Sequence, residues 1–179
     1  MGFIASHTRV QDKMFEEINK AFGEREEIGY EDTKHLSYTL SVFKESLRLL
    51  PVAPNLSKKA YQETYLGEYF LPEGTNVVID AANLHKNPKY WRNPEEFRPE
   101  RFLEDEVAPN SFIPFSLGSR SCIGQKFAEV EVVIALALIL RKYKLHHVEG
   151  GKEPSIQDAV SFGTTSLKNP LKLLLTKRE

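Results

Sequence analysis

The longest apolar run in this sequence covers residues 132–140, nine positions without a polar side chain. A helix that crosses a bilayer needs about 20 such residues, so this chain holds no transmembrane segment. The run lies inside a longer helical pattern, residues 122–143, whose centre is apolar nearly all round. Such a pattern predicts a helix that is buried in a core, and other elements must therefore cover it.

Composition limits the class of protein. The 179 residues correspond to one domain or to part of a larger one, and an apolar fraction of 41% excludes a disordered tail. A formal net charge of −1 argues against a nucleic-acid partner, which requires a basic face. The single cysteine, Cys122, excludes a disulfide framework. It leaves a buried inert thiol, a nucleophile or a metal ligand.

The first residues carry no signal peptide, because no apolar core follows a positive charge. Residues 1–6, with Gly2 behind Met1 and Ser6 at the sixth position, fit the loose N-myristoylation pattern. An arbitrary start of the sequence is the alternative explanation.

Two periodicities alternate along the rest of the chain. Apolar residues at helical spacing predict helices over residues 10–22 and 36–50, which end at Gly23 and Pro51. Short antiparallel strands are expected in four segments, residues 57–65, 68–71, 75–80 and 171–175. Residues 87–102 show no period but contain four aromatic residues, Tyr90, Trp91, Phe97 and Phe102. We expect an ordered irregular segment there, followed by a loop to residue 121.

The surroundings of Cys122 favour a functional thiol. Gly118 and Gly124 bracket it and allow close backbone approach to a bulky group. Its predicted place at the start of a helix would stabilise a thiolate, and Arg120 can pair with an anion. A thiolate beside a flat anionic ligand indicates haem, with Cys122 as the axial ligand.

The loop resembles the haem-thiolate signature of the cytochrome P450 monooxygenases. The pattern Phe115-x-x-Gly118-x-Arg120-x-Cys122-x-Gly124 matches every defining position. A serine at position 116, where many bacterial members have glycine, is similar to the eukaryotic microsomal branch. The resemblance implies an α+β chain that is the C-terminal part of this mainly helical fold, with residues 1–179 as the haem-thiolate portion and the distal half absent.

Two further motifs of that family follow in the expected order. Residues 45–48, from Glu45 to Arg48, resemble its E-x-x-R motif, and residues 97–102 resemble its P-E-R-F motif. By spacing alone, Glu45 and Arg48 would form an exposed ion pair that contributes about 0.2–0.5 kcal/mol. The resemblance implies instead that the pair is buried and bonded to Arg101, with a structural role.

The resemblance also implies a cofactor, haem b, with Cys122 as its iron ligand. Arg120 would hold one haem propionate, and Phe115 would pack on the sulfur side of the ring. A second cation is expected after Pro51, where Lys58 and Lys59 are candidates. Neighbouring residues of a strand face opposite ways, so only one can reach the haem, and we favour Lys58. A solvated lysine at a strand edge is the alternative.

Several other residues receive an interpretation from the resemblance. His85 is expected to be structural. Residues 52–56 and 162–166 would line the substrate pocket, and Lys126 would lie on the face that receives an electron donor, although an ordinary solvated lysine is the default. The adjacent histidines 146 and 147 are too few to predict a metal site.

The implied function is insertion of one atom of O2 into an apolar organic substrate, with electrons from an NADPH-dependent reductase at the endoplasmic reticulum membrane. No residue here is assigned to the distal acid-alcohol pair of the family, so no catalytic residue is predicted. A catalytically inactive haem-binding or interaction module is therefore the alternative. A plain α+β domain with a buried cysteine is the third reading.

Overall fold

The structure is a computed structural model, and it describes residues 1–23, 25, 27–104, 107–154, 159–161 and 163–178. It contains five α-helices in the described residues: α1 (Gly2–Ser6), α2 (Thr8–Phe22), α3 (Ser37–Leu49), α4 (Ala81–Leu84) and α5 (Gln125–Lys142). The described strands are β1 (Asn55–Lys59), β2 (Thr64–Leu66), β3 (Tyr69–Leu71), β4 (Asn76–Asp80), β5 (Tyr143–His147), β6 (Ala159–Ser161), β7 (Thr165–Leu167) and β8 (Leu173–Lys177). The α+β prediction is confirmed.

Helices α2, α3 and α5 pack around one apolar core. The predicted stripe of α2 is buried, with Met14 and Ile18 fully enclosed, and Val42 of α3 and Leu140 of α5 meet it. The predicted bounds of α2 and α3 agree closely with the observed ones. Glu17 of α2 supplies the missing cap of α3, since its carboxylate accepts hydrogen bonds from Tyr38 N at 2.7 Å and Thr39 N at 2.9 Å.

The predicted start of the cysteine helix at residue 122 is wrong. Helix α5 begins at Gln125, with Gly124 at its N-cap, and ends at Lys142, where β5 continues the chain. Ser121 is extended, with ψ of 158°, and Gln125 N donates to the Cys122 carbonyl at 3.3 Å. Cys122 therefore lies in a turn just before the helix, whose first helical residue is Gln125.

The prediction that this helix is buried on all sides is also wrong for this chain. Val133, Leu136, Ala137 and Leu140 are buried and form one face. On the other side Phe127 is 72% exposed and Leu138 is 41% exposed. The described residues thus cover one face of α5 and leave apolar side chains of the other in solvent.

The strands form four antiparallel pairs rather than one sheet: β1 with β4, β2 with β3, β5 with β8, and β6 with β7. The single strand predicted over residues 57–65 is wrong, since β1 ends at Lys59 and β2 begins at Thr64. The reason is a change of partner. Lys59 pairs with Asn76 of β4, whereas Thr64 pairs with Leu71 of β3.

The segment before the cysteine loop is irregular and ordered, as predicted. Trp91 is 1% exposed and Phe97 is 6% exposed, and a 3-10 helix at Pro99–Phe102 closes the segment. The rings of Trp91, Phe102 and Phe112 contact one another, with centroids 4.8–6.3 Å apart. Burial of these rings keeps a segment with little regular hydrogen bonding in one conformation.

Helix α1 and the 3-10 helix Tyr30–His35 are additions that the periodicity did not predict. Gly2 is buried in α1, and a Cβ placed there would lie 2.8 Å from Pro154. The myristoylation pattern thus coincides with a packed helix. Among the described residues, no helix has the length and apolar content needed to cross a membrane.

Candidate functional site

A tight loop presents Cys122 at the start of α5. Ser116 N donates to the Ile113 carbonyl at 3.0 Å, and Cys122 N donates to the Phe115 carbonyl at 2.9 Å. The second bond joins the first residue of the signature directly to its cysteine. Gly118 has φ of +78°, a backbone conformation that strains any residue with a Cβ, so this glycine is needed for the turn.

The Cys122 thiol is free and exposed. The reading of this chain as a plain domain with a buried inert cysteine is therefore wrong. A Cβ on Gly124 would lie 3.8 Å from the Cys122 sulfur, so the thiol and this glycine are in immediate contact. Ile123, the next residue in the chain, is completely exposed, so an apolar side chain directly follows the cysteine.

Two cations accompany this loop. Arg120 ends the 3-10 helix Gly118–Arg120 and is exposed two residues before the thiol. Lys58 reaches the loop from β1, and its Nζ donates to Ser116 Oγ at 3.0 Å. Lys59 is exposed on the opposite face of the strand. Strand alternation therefore brings Lys58, and not Lys59, to the cysteine loop.

Glu45 forms a buried network behind the loop. Glu45 and Arg48 are fully buried, with Arg48 Nε at 2.8 Å from Glu45 Oε2 and Arg48 Nη2 at 2.9 Å from Glu45 Oε1. Arg101 Nε donates to the same Oε1 at 3.1 Å. Arg48 also donates to the carbonyls of His85 and Pro94. The three charged side chains thus join α3 to the irregular segment.

His85 supports the residues that lead into the loop. It is fully buried, and its Nε2 accepts a hydrogen bond from Ile113 N at 2.9 Å. The pKa of His85 is lowered to about 4, mainly by burial and further by the nearby Arg48 charge. The Leu47 backbone has a smaller, opposite effect on this pKa. The imidazole is therefore neutral at pH 7 and acts as an acceptor.

The two segments expected to line a substrate pocket lie together. Thr165 N donates to the Val52 carbonyl at 2.6 Å, and Thr165 Oγ1 donates to the Pro51 carbonyl at 2.7 Å. Val52 is 54% exposed beside this contact. Phe162, the aromatic residue of the second segment, lies outside the described residues.

The remaining candidates have ordinary partners. His146 contacts Thr176, and His147 contacts Ser6. No group of three His, Cys, Asp or Glu side chains suited to a metal ion occurs within the described part of the chain. Lys126 is exposed and forms an ion pair with Glu129 at 3.2 Å.

The sequence match to known proteins agrees with the loop geometry. Residues 1–174 match the family model described as Cytochrome P450. The chain belongs to the cytochrome P450 family. The resemblance noted in the sequence is thereby confirmed, and with it the fold of a C-terminal cytochrome P450 portion. Members of this family are haem-thiolate monooxygenases that bind haem b.

Individual cytochromes P450 match almost the whole chain. It is 36% identical to cytochrome P450 3A13 of Mus musculus over 98% of this chain and 35% of that protein. It is 34% identical to probable cytochrome P450 508A1 of Dictyostelium discoideum, over 98% of this chain and 36% of that protein. It is 35% identical to the protein LUTEIN DEFICIENT 5, chloroplastic, of Arabidopsis thaliana, over 98% and 30%. The chain spans about a third of these curated relatives.

The residues around the thiol fit the haem of a cytochrome P450. Haem combines a flat apolar ring, an iron that accepts one axial thiolate, and two carboxylates. Each of these parts has a complementary group here. The exposed Ile123 side chain suits the apolar ring, the exposed Cys122 thiol suits the iron, and Arg120 and Lys58 suit the two carboxylates. The buried Glu45 network lies behind this surface and takes no part in it.

In the sequence, the serine at position 116 indicates only a branch of the family, although its side chain is the partner of Lys58. Its backbone has φ of +65°, which is unusual for a serine. The signal was present in the sequence, since a position where many family members have glycine is one where left-handed backbone is expected.

Proposed function

We propose that this chain is the haem-binding portion of a cytochrome P450 monooxygenase, with the Cys122 thiolate as the axial ligand of the iron. Residues 1–179 would form one C-terminal unit of that domain. The observation that carries the proposal is the exposed thiol in a closed loop that also carries Arg120 and that Lys58 contacts through Ser116.

Each residue of the loop has a distinct part in this proposal. Cys122 binds the iron as a thiolate. Arg120 and Lys58 pair with the haem propionates. Phe115 packs beside the sulfur, and Gly118 and Gly124 keep the backbone close to the ring. When bound, a thiolate-ligated haem supplies the activation of O2.

The Glu45, Arg48 and Arg101 network has a structural role in the proposal. Its members are at most 1% exposed, so none of them can touch haem or substrate. They fix the irregular segment against α3, and His85 fixes Ile113. The cysteine loop begins two residues after Ile113, so this support determines where the thiol lies.

The substrate is proposed to be an apolar small molecule. The contact of Thr165 with Pro51 and Val52 brings the two expected lining segments to one place, and exposed Val52 provides an apolar wall.

The electron donor is proposed to be an NADPH-dependent reductase that docks beside Lys126. This lysine lines two adjoining cavities, one shared with Lys44 and Phe115 and the other shared with Lys34. Lys44 and Lys126 therefore line a cavity together with the cysteine loop, and Lys34 lines the adjoining cavity, so an acidic partner surface would be attracted here. No nucleic-acid partner is proposed, because the net charge is −1.

The endoplasmic reticulum is the proposed compartment, on the basis of the microsomal type of loop with serine at position 116. One relative, at 35% identity, carries the word chloroplastic in its name. Because the mouse protein has an almost equal identity of 36%, identity does not decide the compartment. Fractionation of cells that express the tagged protein tests this point.

A haem-binding module without monooxygenase activity is the second candidate. The family's distal motif, a small residue followed by Gly, any residue, an acid and Thr, does not occur in these 179 residues, which span about a third of the curated relatives, so this candidate concerns these residues by themselves. Substrate-dependent and reductase-dependent turnover would contradict this candidate.

Haem titration of the purified chain tests the proposal directly. The wild-type chain should bind one haem, with a Soret band characteristic of thiolate ligation. Cys122→Ser should lose this band, while Ser121→Ala, an exposed neighbour, should retain it. Equal spectra for the wild type and Cys122→Ser would overturn the assignment of the ligand.

A further inference from the structure

The backbone of Ser116 is strained, and the strain is specific to this residue. Three non-glycine residues in the described part of the chain have a positive φ: Asn93, Asn110 and Ser116. Asparagine tolerates the left-handed region because its side chain hydrogen-bonds locally, whereas serine is much less common there. A glycine at position 116 would adopt φ of +65° without this penalty. A serine in this place calls for a function of its hydroxyl group.

The hydroxyl has one long-range partner. Ser116 Oγ accepts a hydrogen bond from Lys58 Nζ at 3.0 Å, and the two residues are 58 positions apart in the sequence. Both are half-buried. This contact joins strand β1 to the cysteine loop through side chains alone.

A lysine side chain needs such a partner if it is to stay in one place. Four rotatable bonds separate its ammonium group from the backbone, and ordering them costs conformational entropy. Lys59, on the other face of the same strand, extends into solvent. The positions of the two lysine side chains therefore differ for two reasons. Strand alternation turns only Lys58 towards the loop, and Ser116 binds its ammonium group.

We infer that Ser116 is a positioning residue, whose hydroxyl holds the Lys58 ammonium at the cysteine loop so that it is already in place for a haem carboxylate. This inference rests on the proposed function for its consequence in haem binding. The contact between Ser116 and Lys58 itself does not depend on haem. The strained backbone of Ser116 is the structural cost of this arrangement.

The first test uses the haem-free chain and compares the acylation rates of Lys58 and Lys59 by mass spectrometry. Ser116→Ala keeps the strain and removes the hydroxyl, whereas Ser116→Gly removes both. Each should raise the ratio of Lys58 to Lys59 labelling by about threefold or more, because the side chain is released. Ser116→Asn, which tolerates this backbone and offers an amide oxygen, should restore the wild-type ratio.

The control for the labelling test is Ser119→Ala, an exposed serine of the same loop, which should leave the ratio unchanged. An unchanged ratio in Ser116→Ala would overturn the inference, since the hydroxyl would then have no effect on Lys58. A labelling ratio that rises in Ser116→Gly but not in Ser116→Ala would also overturn the inference, because backbone mobility would then explain the release of Lys58.

The second test measures haem dissociation from the loaded chain. Ser116→Ala should accelerate dissociation by about tenfold, the scale of one hydrogen bond to a charged group. In a Lys58→Met background the same substitution should have no further effect. An equal acceleration in both backgrounds would overturn a role through Lys58. If the wild type binds no haem through Cys122, the proposed function fails, and the labelling ratio still decides whether Ser116 holds Lys58.

Discussion

Glu45 Oε1 lies 3.1 Å from Arg101 Nε, although the two residues are 56 positions apart in the sequence. The same oxygen also accepts hydrogen bonds from Arg48 Nη2 at 2.9 Å and Arg98 N at 2.8 Å. One carboxylate therefore joins helix α3 to the irregular segment that precedes the cysteine loop. The stability of that segment depends on a charge that has no access to water.

Removing this carboxylate should destabilise the chain strongly. Glu45→Ala leaves two buried guanidinium groups without a counter-charge, and the expected loss in free energy of unfolding is about 3–5 kcal/mol, measured by urea denaturation. Glu95→Ala is the matched control, because Glu95 also pairs with a cation but is 75% exposed. The Glu95→Ala variant should lose less than about 1 kcal/mol of its free energy of unfolding. A soluble Glu45→Ala protein that still loads haem would contradict the structural role.

The neutral state of His85 predicts a loss of stability in acid. The folded-state pKa of about 4 lies below the ordinary value of 6.5, so the unfolded chain binds the extra proton first. The contribution of His85 to the free energy of unfolding is therefore fully present above pH 6.5. It falls by roughly 3 kcal/mol in total as the pH drops towards 4.

Urea denaturation between pH 7 and pH 4 measures this effect by difference. His85→Gln keeps an acceptor for Ile113 N but does not titrate, so its stability should change less over this range than that of the wild type. The carboxylates titrate in both proteins and cancel in the comparison. Parallel curves for the two proteins would show that His85 is not held neutral by the fold.

The contact between Thr165 and the segment after α3 should be measurable by itself. Thr165→Val preserves the shape of the side chain and removes the hydrogen bond from Oγ1 to the Pro51 carbonyl. We expect a loss of about 1 kcal/mol and faster amide exchange in β7, measured by hydrogen exchange. Ser166→Ala, an exposed neighbour in the same strand, is the control. Unchanged exchange in Thr165→Val would show that the two segments are not held together by this bond.

The open face of α5 should make the isolated chain prone to association. Phe127 is 72% exposed, so Phe127→Gln removes apolar surface without leaving a cavity. We expect weaker binding of a hydrophobic dye and higher solubility, with an unchanged free energy of unfolding. Leu140→Ala, on the buried face, should instead lose about 2–5 kcal/mol. A large loss of stability in Phe127→Gln would show that this face is already covered.

Much of this fold was accessible from the sequence because its main helices are amphipathic. The stripes of α2 and α3 predicted their bounds, and the aromatic residues predicted an ordered segment between residues 87 and 102. The loop motif predicted the family, which the match over residues 1–174 confirmed. Periodicity and local motifs are properties of neighbouring residues, and a sequence displays them directly.

The errors concern features that depend on distant residues. Spacing alone placed Glu45 and Arg48 on the surface, because burial of the pair requires Arg101 and backbone groups from the irregular segment. The start of α5 was set three residues too early, since the bond from Cys122 N to the Phe115 carbonyl keeps the cysteine out of the helix. The role of Ser116 depends on Lys58, which belongs to another element.

The role of Cys122 as haem ligand is tested most directly by the absorption spectrum of the haem-loaded, reduced chain in carbon monoxide, recorded beside that of Cys122→Ser. An exposed thiol at the start of α5, with Arg120 and Lys58 near it, predicts a strongly red-shifted Soret band that disappears in the variant. A folded, soluble chain that shows no such band, or a band that persists in Cys122→Ser, would contradict the assignment of Cys122 as the haem ligand.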